Sequence, residues 1–283
     1  MDPLSAPARS WLFVPANRPE RFAKAAASGA DRVIIDLEDA VAASDKRSAC
    51  RALLDAPLPE TVPVYLRVNG HGTEWFEQDL EVAARLRLAG VMLPKADTGE
   101  HVARVAAALP PSARIVAIVE SAAGVWNALD VARAPRVERV AFGAVDFELD
   151  TGMKDEGDVL AHARSQVVIA SRVAGIAPPI DSVTLSIDDG EAVAAAAARA
   201  RRFGFAGKLC IHPRQLEAVN AVFRPTPAEV EWARAVLAAR EARPPGGAAA
   251  FSFRGTMVDR PVLERATVVL AQAARRPLAT GTA

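Results

Sequence analysis

"RVIIDLEDAV", residues 32–41, decides how the chain is read. Val33, Ile34, Ile35 and Leu37 suit a buried strand, and Asp36, Glu38 and Asp39 crowd its far end. A short β-branched run closed by charge has the form of one strand of a buried parallel sheet. Carboxylates gathered there are costly unless something pairs with them, so a cation is expected at the same place.

Working outward, seven further runs of this kind occur at 10–16, 63–69, 90–95, 114–120, 137–144, 179–186 and 207–213. Between them lie Ala-rich amphipathic segments such as "PERFAKAAASG", "TEWFEQDLEVAARL" and "DDGEAVAAAAARARRFG", opened by Pro, Thr or Asp and closed by Gly. Eight alternations of strand and helix predict an α/β fold of the TIM (β/α)8 barrel type. An open doubly wound sheet is the rival, but no GxGxxG follows the first strand. The barrel is expected over residues 1–223 and a C-terminal helical extension over 224–283, the whole forming one structural unit. The extension reads as a helix, "PTPAEVEWARAVLAAREA", a turn-forming linker, "RPPGGAAA", and a loop leading into a last helix with Pro261 near its start.

Composition narrows the partners. With 51% apolar residues and 34 basic balancing 34 acidic side chains, nothing recruits nucleic acid or an anionic membrane. Small molecules and further copies of the chain are the expected partners. Cys50 and Cys210 lie far apart with no metal or redox spacing, no run approaches membrane-spanning length, and "MDPLSAPARSW" has no leader pattern. A cytoplasmic location is expected.

Barrel chemistry sits where the strands end. The ends carry Asp36, Glu38 and Asp39 on the second strand, Arg67 and Asn69 on the third, Lys95 on the fourth and Glu120 on the fifth. Asp146 follows the sixth in "FGAVDF", and the eighth ends in Lys208 to His212. Salt bridges explain one or two such groups but not a ring of them. Hard oxygen ligands suit Mg²⁺, which takes one or two carboxylates with water and substrate oxygens, and Glu120 and Asp146 on adjacent strands are the natural pair. Asp36, Glu38 and Asp39 would stand behind them, orienting water and balancing Arg67 and Lys95. Arg67 has two readings, a fork for a substrate carboxylate or a salt bridge to Asp36 or Glu38. The four histidines, His71, His101, His162 and His212, are too scattered for zinc.

"LFVPANRPERFAKAAASGADRVIIDLEDAV", "LRVNG", "VMLPKAD", "AIVESAAGV", "FGAVDFELDTG", "GFAGKLCIHPRQ" and "GTMVDRP" run in order from about residue 10 to 265. In these motifs the chain resembles the CitE-like branch of the HpcH/HpaI aldolase and citrate lyase superfamily. The resemblance implies a Mg²⁺-binding TIM barrel that makes or breaks a carbon–carbon bond between a 2-oxoacid and an acyl-CoA thioester. It puts the metal on Glu120 and Asp146 and the substrate carboxylate on Arg67. Its similarity to malyl-CoA and citramalyl-CoA lyases implies an acid/base at Asp259, delivered to a neighbouring subunit of a homo-oligomer, a trimer or hexamer. It also implies CoA-nucleotide contacts at Arg18 and Lys24. Val145 departs from the pattern, since many members place an acid there. Two other activities fit the same motifs: an aldolase acting on free oxoacid and aldehyde, and a citrate-lyase-type β chain working only within a larger complex.

Overall fold

The computed structural model describes residues 7–243 and 250–274, so most of the expected linker lies outside the described residues. Contacts gather the chain into two bodies, one of residues 7–223 and one of 224 onward.

In the first body seven parallel strands follow the order β6-β5-β4-β3-β2-β1-β7. They are β1 (Ser10–Pro15), β2 (Arg32–Asp36), β3 (Val64–Arg67), β4 (Gly90–Leu93), β5 (Arg114–Val119), β6 (Val137–Phe142) and β7 (Lys208–Cys210). The expected strand at 179–186 is not one. Only Ile180 and Asp181 pair, Ile180 with Ala141 of β6 and Asp181 with Lys208 of β7. Those bridges are true backbone hydrogen bonds: Phe142 N donates to Ile180 O at 2.9 Å and Leu209 N to Asp181 O at 2.9 Å. They close the sheet into a ring, so the fold is the α/β TIM barrel with a two-residue eighth stave. The stretch after Asp181 fails as a strand because Ser182, Thr184 and Ser186 give their backbone carbonyls to side chains instead: Lys208 Nζ takes Ser182 O at 2.6 Å and Gln215 Nε2 takes Thr184 O at 2.7 Å and Ser186 O at 2.8 Å.

Side chains alternate across a strand, and the two apolar clusters of this body divide by that period. Val33, Ile35, Leu66, Val91 and Ile115 face outward onto the helices. Trp11, Ile34, Tyr65 and Met92 from β1 to β4, with Ile118, Ala141, Ile180 and Leu209 from the remaining staves, fill the interior.

The second body is a helix, Pro227–Glu241, a two-stranded antiparallel pair, β8 (Phe251–Phe253) and β9 (Thr256–Val258), and a helix, Arg260–Ala273. The hairpin replaces the loop expected before the last helix. Arg254 and Gly255 turn it with φ of 50° and 77°, the left-handed pair that a two-residue hairpin requires. The first helix opens on a capping box, Thr226 Oγ1 accepting from Glu229 N and Thr226 N donating to the Glu229 carboxylate. Ala233, Val236, Phe251, Val258, Ala266 and Val269 form this body's own small core. No described helix is long and apolar enough to cross a membrane.

Candidate active site

The interior period, carried one step past the last packed residue of each stave, builds the mouth of the barrel. Asp36 follows Ile34 at that step, Arg67 follows Tyr65, Glu120 follows Ile118, Gly143 follows Ala141, Ser182 follows Ile180 and Ile211 follows Leu209. All six line one cavity of about 380 Å³. Asp39 and Asp146 line it too, so most of the expected polar groups converge there.

The carboxylates of β2 are largely spoken for. Arg67 donates from Nε to Asp36 Oδ1 at 2.7 Å and from Nη2 to Asp36 Oδ2 at 2.6 Å. Its Nη1 lies 2.7 Å from Glu38 Oε2 and 3.8 Å from Asp39 Oδ2. The Glu38 oxygen is buried and no hydrogen is aligned on it, so charge alone holds that contact. Lys95 Nζ donates to Glu38 Oε1 at 2.8 Å and stands 3.6 Å from Asp146 Oδ1. In this state the salt-bridge reading of Arg67 holds, and its guanidinium also lies 4.6 Å from the centre of the Phe13 ring. Lys46, missed in the sequence, donates to the carbonyls of Leu37 and Glu38 at 2.8 and 2.9 Å and pins the acidic turn from below.

Glu120 is placed by two backbone features. Lys95 sits at φ 50°, unusual for a residue with a side chain, and from there its N–H donates to Glu120 Oε1 at 2.8 Å. On the other side is Gly143, where a Cβ would collide with Glu120 Oε2 and stand 2.6 Å from its Cβ. Asp146 lies in the first turn of a helix, Ala144–Thr151, rather than in a loop. Ser182 Oγ accepts from Ala144 N at 2.9 Å and fixes that helix start. Gly143 and Ser182 also escaped the sequence reading, though carrying the interior period one step further finds both.

Crowding sets the electrostatics. Burial, then the charges of Asp146 and Glu38, push the Glu120 carboxyl up to about 8. Burial also raises Glu38, against the pull of Arg67 and Lys95. Lys95 is held protonated despite its desolvation by Glu38, Glu120 and Asp146. Such a cluster of carboxylates calls for positive charge, and Glu120 beside Asp146 in a cradle cleared by Gly143 is an oxygen donor set of the kind Mg²⁺ takes. Among the described residues no group of three or more His, Cys, Asp or Glu forms a denser cage.

Other expected residues lie elsewhere. Arg18 and Lys24 are exposed after β1, Arg18 donating to Glu20 at 2.6 Å. Asp259 belongs to the second body, where its Oδ1 caps the last helix by accepting from Val262 N at 3.3 Å. Lys208 is not at the rim but buried, 3.1 Å from Asp181 Oδ2. His212 Nδ1 accepts from Arg214 N and caps a turn.

Gly143→Ala should therefore expel the Glu120 carboxylate and abolish Mg²⁺ binding by calorimetry while the far-ultraviolet spectrum stays unchanged. The pH dependence has a definite sign. With its carboxyl raised from 4.5 to about 8, folded metal-free protein holds a proton there that the unfolded chain has lost. Its stability should fall as pH rises through that window, and, if Glu120 holds the ion, the melting-temperature gain on adding Mg²⁺ should grow, because proton and cation would then compete for it.

A sequence profile of the HpcH/HpaI aldolase/citrate lyase family matches residues 9–213. A citrate lyase subunit beta-like protein of Deinococcus radiodurans is 39% identical over 279 residues, 94% of this chain and 97% of its own. A (3S)-malyl-CoA thioesterase of Cereibacter sphaeroides is 36% identical over 94% of this chain and 95% of its own. The crystal structure of CitE from Mycobacterium tuberculosis in complex with magnesium, acetoacetate and coenzyme A superposes with a TM-score of 0.84 at 38% identity, covering 95% of this chain and 99% of that one. The barrel, the acidic mouth and these likenesses agree: the chain belongs to the HpcH/HpaI aldolase/citrate lyase family.

Proposed function

We propose that the protein is a Mg²⁺-dependent carbon–carbon lyase. It would cleave, or in reverse form, a 3-hydroxyacyl thioester such as citryl-, malyl- or citramalyl-CoA, giving a 2-oxoacid and an acetyl thioester. The observation that carries this reading is the pairing of Glu120 and Asp146 at a mouth that also holds Arg67. The Mycobacterium relative bound to magnesium and coenzyme A supports it. Glu120 and Asp146 would hold the ion. Once bound, Mg²⁺ supplies Lewis-acid polarisation of the substrate's oxygens.

The chain's own groups supply the rest. Arg67 orients the substrate carboxylate, exchanging part of its fork from Asp36, while Lys95 holds Glu38 in place. The carbinol hydroxyl gives its proton to water and becomes the oxoacid's carbonyl as the bond to the thioester's α-carbon breaks, and that bond's electron pair stays on the α-carbon as an enolate. Asp259 of a neighbouring copy in a trimer or dimer of trimers protonates that carbon, and in the synthetic direction removes the proton. Arg18 and Lys24 meet the CoA phosphates. The chain is thus read as a barrel of residues 1–223 with an extension that serves its neighbour.

The decisive experiment incubates the purified chain and Mg²⁺ with each thioester. Oxoacid and acetyl-CoA in equal amounts, lost on adding a chelator, are the expected products. Free CoA with intact hydroxyacid would mean hydrolysis, as the name of the Cereibacter relative describes. No turnover without added subunits would favour a β chain of a complex, and aldol cleavage of substrates lacking CoA a free aldolase. Arg67→Lys keeps the charge but loses the fork, so oxoacid affinity should weaken by about 1–3 kcal/mol in calorimetry. Unchanged affinity would leave Arg67 as a brace for Asp36 alone.

A further inference from the structure

The cavity is lined by two unlike kinds of side chain: Asp36, Asp39, Arg67, Glu120 and Asp146 are charged, and Val145, Val183, Leu185, Leu209 and Ile211 are apolar. We propose that these apolar side chains, led by Val145, restrict the site to oxoacid units whose substituent is uncharged, hydrogen or methyl, and exclude a second carboxylate. This inference rests on the lyase reading and narrows it to malyl- and citramalyl-type thioesters over citryl-type ones.

Charge argues first. Arg67 is the only Lys or Arg among the described residues that line the cavity, and Asp36 and Glu38 already engage its Nε, Nη2 and Nη1. Lys95, next to the cavity, is spent on Glu38 and Asp146. Four lining carboxylates face that one guanidinium, so even a bound Mg²⁺ leaves the lining with net negative charge. The oxoacid's own carboxylate takes what attraction the ion and Arg67 offer. A second one would meet four carboxylates and apolar side chains, with the Ser182 hydroxyl as the one uncharged side-chain donor among the described lining residues and no cation left to replace its hydration.

Apolar exposure argues second. Val145 is 44% exposed, Leu185 68% and Ile211 38%, beside a cavity lined by charges. Large apolar groups held open at a mouth gain when an apolar substituent covers them. Val145 precedes Asp146 in the first turn of the same helix, and both line the cavity.

The test begins with unaltered protein. In the presence of Mg²⁺, calorimetry should show pyruvate binding about tenfold or more tighter than freshly dissolved oxaloacetate, with kcat/KM for citramalyl-CoA exceeding that for citryl-CoA in the same sense. Val145→Lys, at a half-exposed helical position, should shift the ratio toward oxaloacetate by about tenfold, and Val145→Gln, neutral and similar in reach, should shift it far less. Equal or tighter oxaloacetate binding by the unaltered protein overturns the proposal while leaving the lyase reading intact, as does an unmoved ratio in folded Val145→Lys. Failure of both oxoacids to bind with Mg²⁺ overturns the lyase reading, and this one with it.

Discussion

Glu120→Gln should lower thioester cleavage by about 10³-fold or more and remove Mg²⁺-dependent oxoacid binding. The Lewis-acid contribution of a bound divalent ion is worth several kcal/mol, and each 1.36 kcal/mol is a factor of ten in rate. Glutamine has the shape of glutamate, so the cradle beside Gly143 and the hydrogen bond from Lys95 N remain satisfied. What disappears is a buried negative charge pressed by Asp146 and Glu38. Metal-free Glu120→Gln should therefore melt at a higher temperature than the parent at alkaline pH, even as it loses activity. Calorimetry, melting curves and steady-state rates together check this, and a variant that bound Mg²⁺ and oxoacid normally would move the metal away from Glu120.

Asp259→Asn should cost about 10²–10⁴ in rate, the usual worth of a positioned general acid, while sparing Mg²⁺ and oxoacid binding. Asparagine is the right replacement because Asp259 Oδ1 is also an N-cap for the helix Arg260–Ala273. Alanine would remove both roles and lose about 1 kcal/mol of cap stability, whereas asparagine caps as well as aspartate but carries no ionisable proton. If the acid serves a neighbour, mixing Asp259→Asn with Glu120→Gln chains should restore activity at about a quarter of sites, those joining an intact mouth to an intact tail. Proton exchange at the acetyl-thioester methyl group, followed by NMR, should be lost in Asp259→Asn and return in the mixture. No return after proven subunit exchange would refute service across subunits, and full rate in monomers would do the same.

Much of the barrel could be read from the sequence because parallel strands buried on both faces write themselves as short apolar runs ended by charge. The exception, residues 179–186, has a strand's composition. Its carbonyls go to Lys208 and Gln215, partners far enough away in sequence that no local pattern announces them. The hairpin at 251–258 was hidden for the opposite reason, three-residue strands being too short to display a period. At the mouth, charged strand ends marked Asp36, Arg67, Glu120 and Asp146, since an ion at the end of an apolar run has few innocent explanations. Gly143 and Ser182 carry no such mark. One acts by what it lacks and the other through a single backbone hydrogen bond, so residue type marks neither, and only the interior period carried one step past Ala141 and Ile180 points to them.

The alternation that sorts side chains inside and outside the ring also has a consequence for inheritance. Residues that fill the barrel and residues that form its mouth share one face of each strand and overlap only in part: Ile118 and Leu209 do both, whereas Ile34 packs without lining the mouth and Asp36 and Glu120 line it without joining the apolar packing. A mouth residue outside the packed clusters, such as Val145, can therefore be exchanged without disturbing the packing that keeps the chain folded. Relatives about 40% identical are then free to keep one architecture while descending toward different chemistry, as a lyase subunit-like protein and a thioesterase have among the kin of this chain.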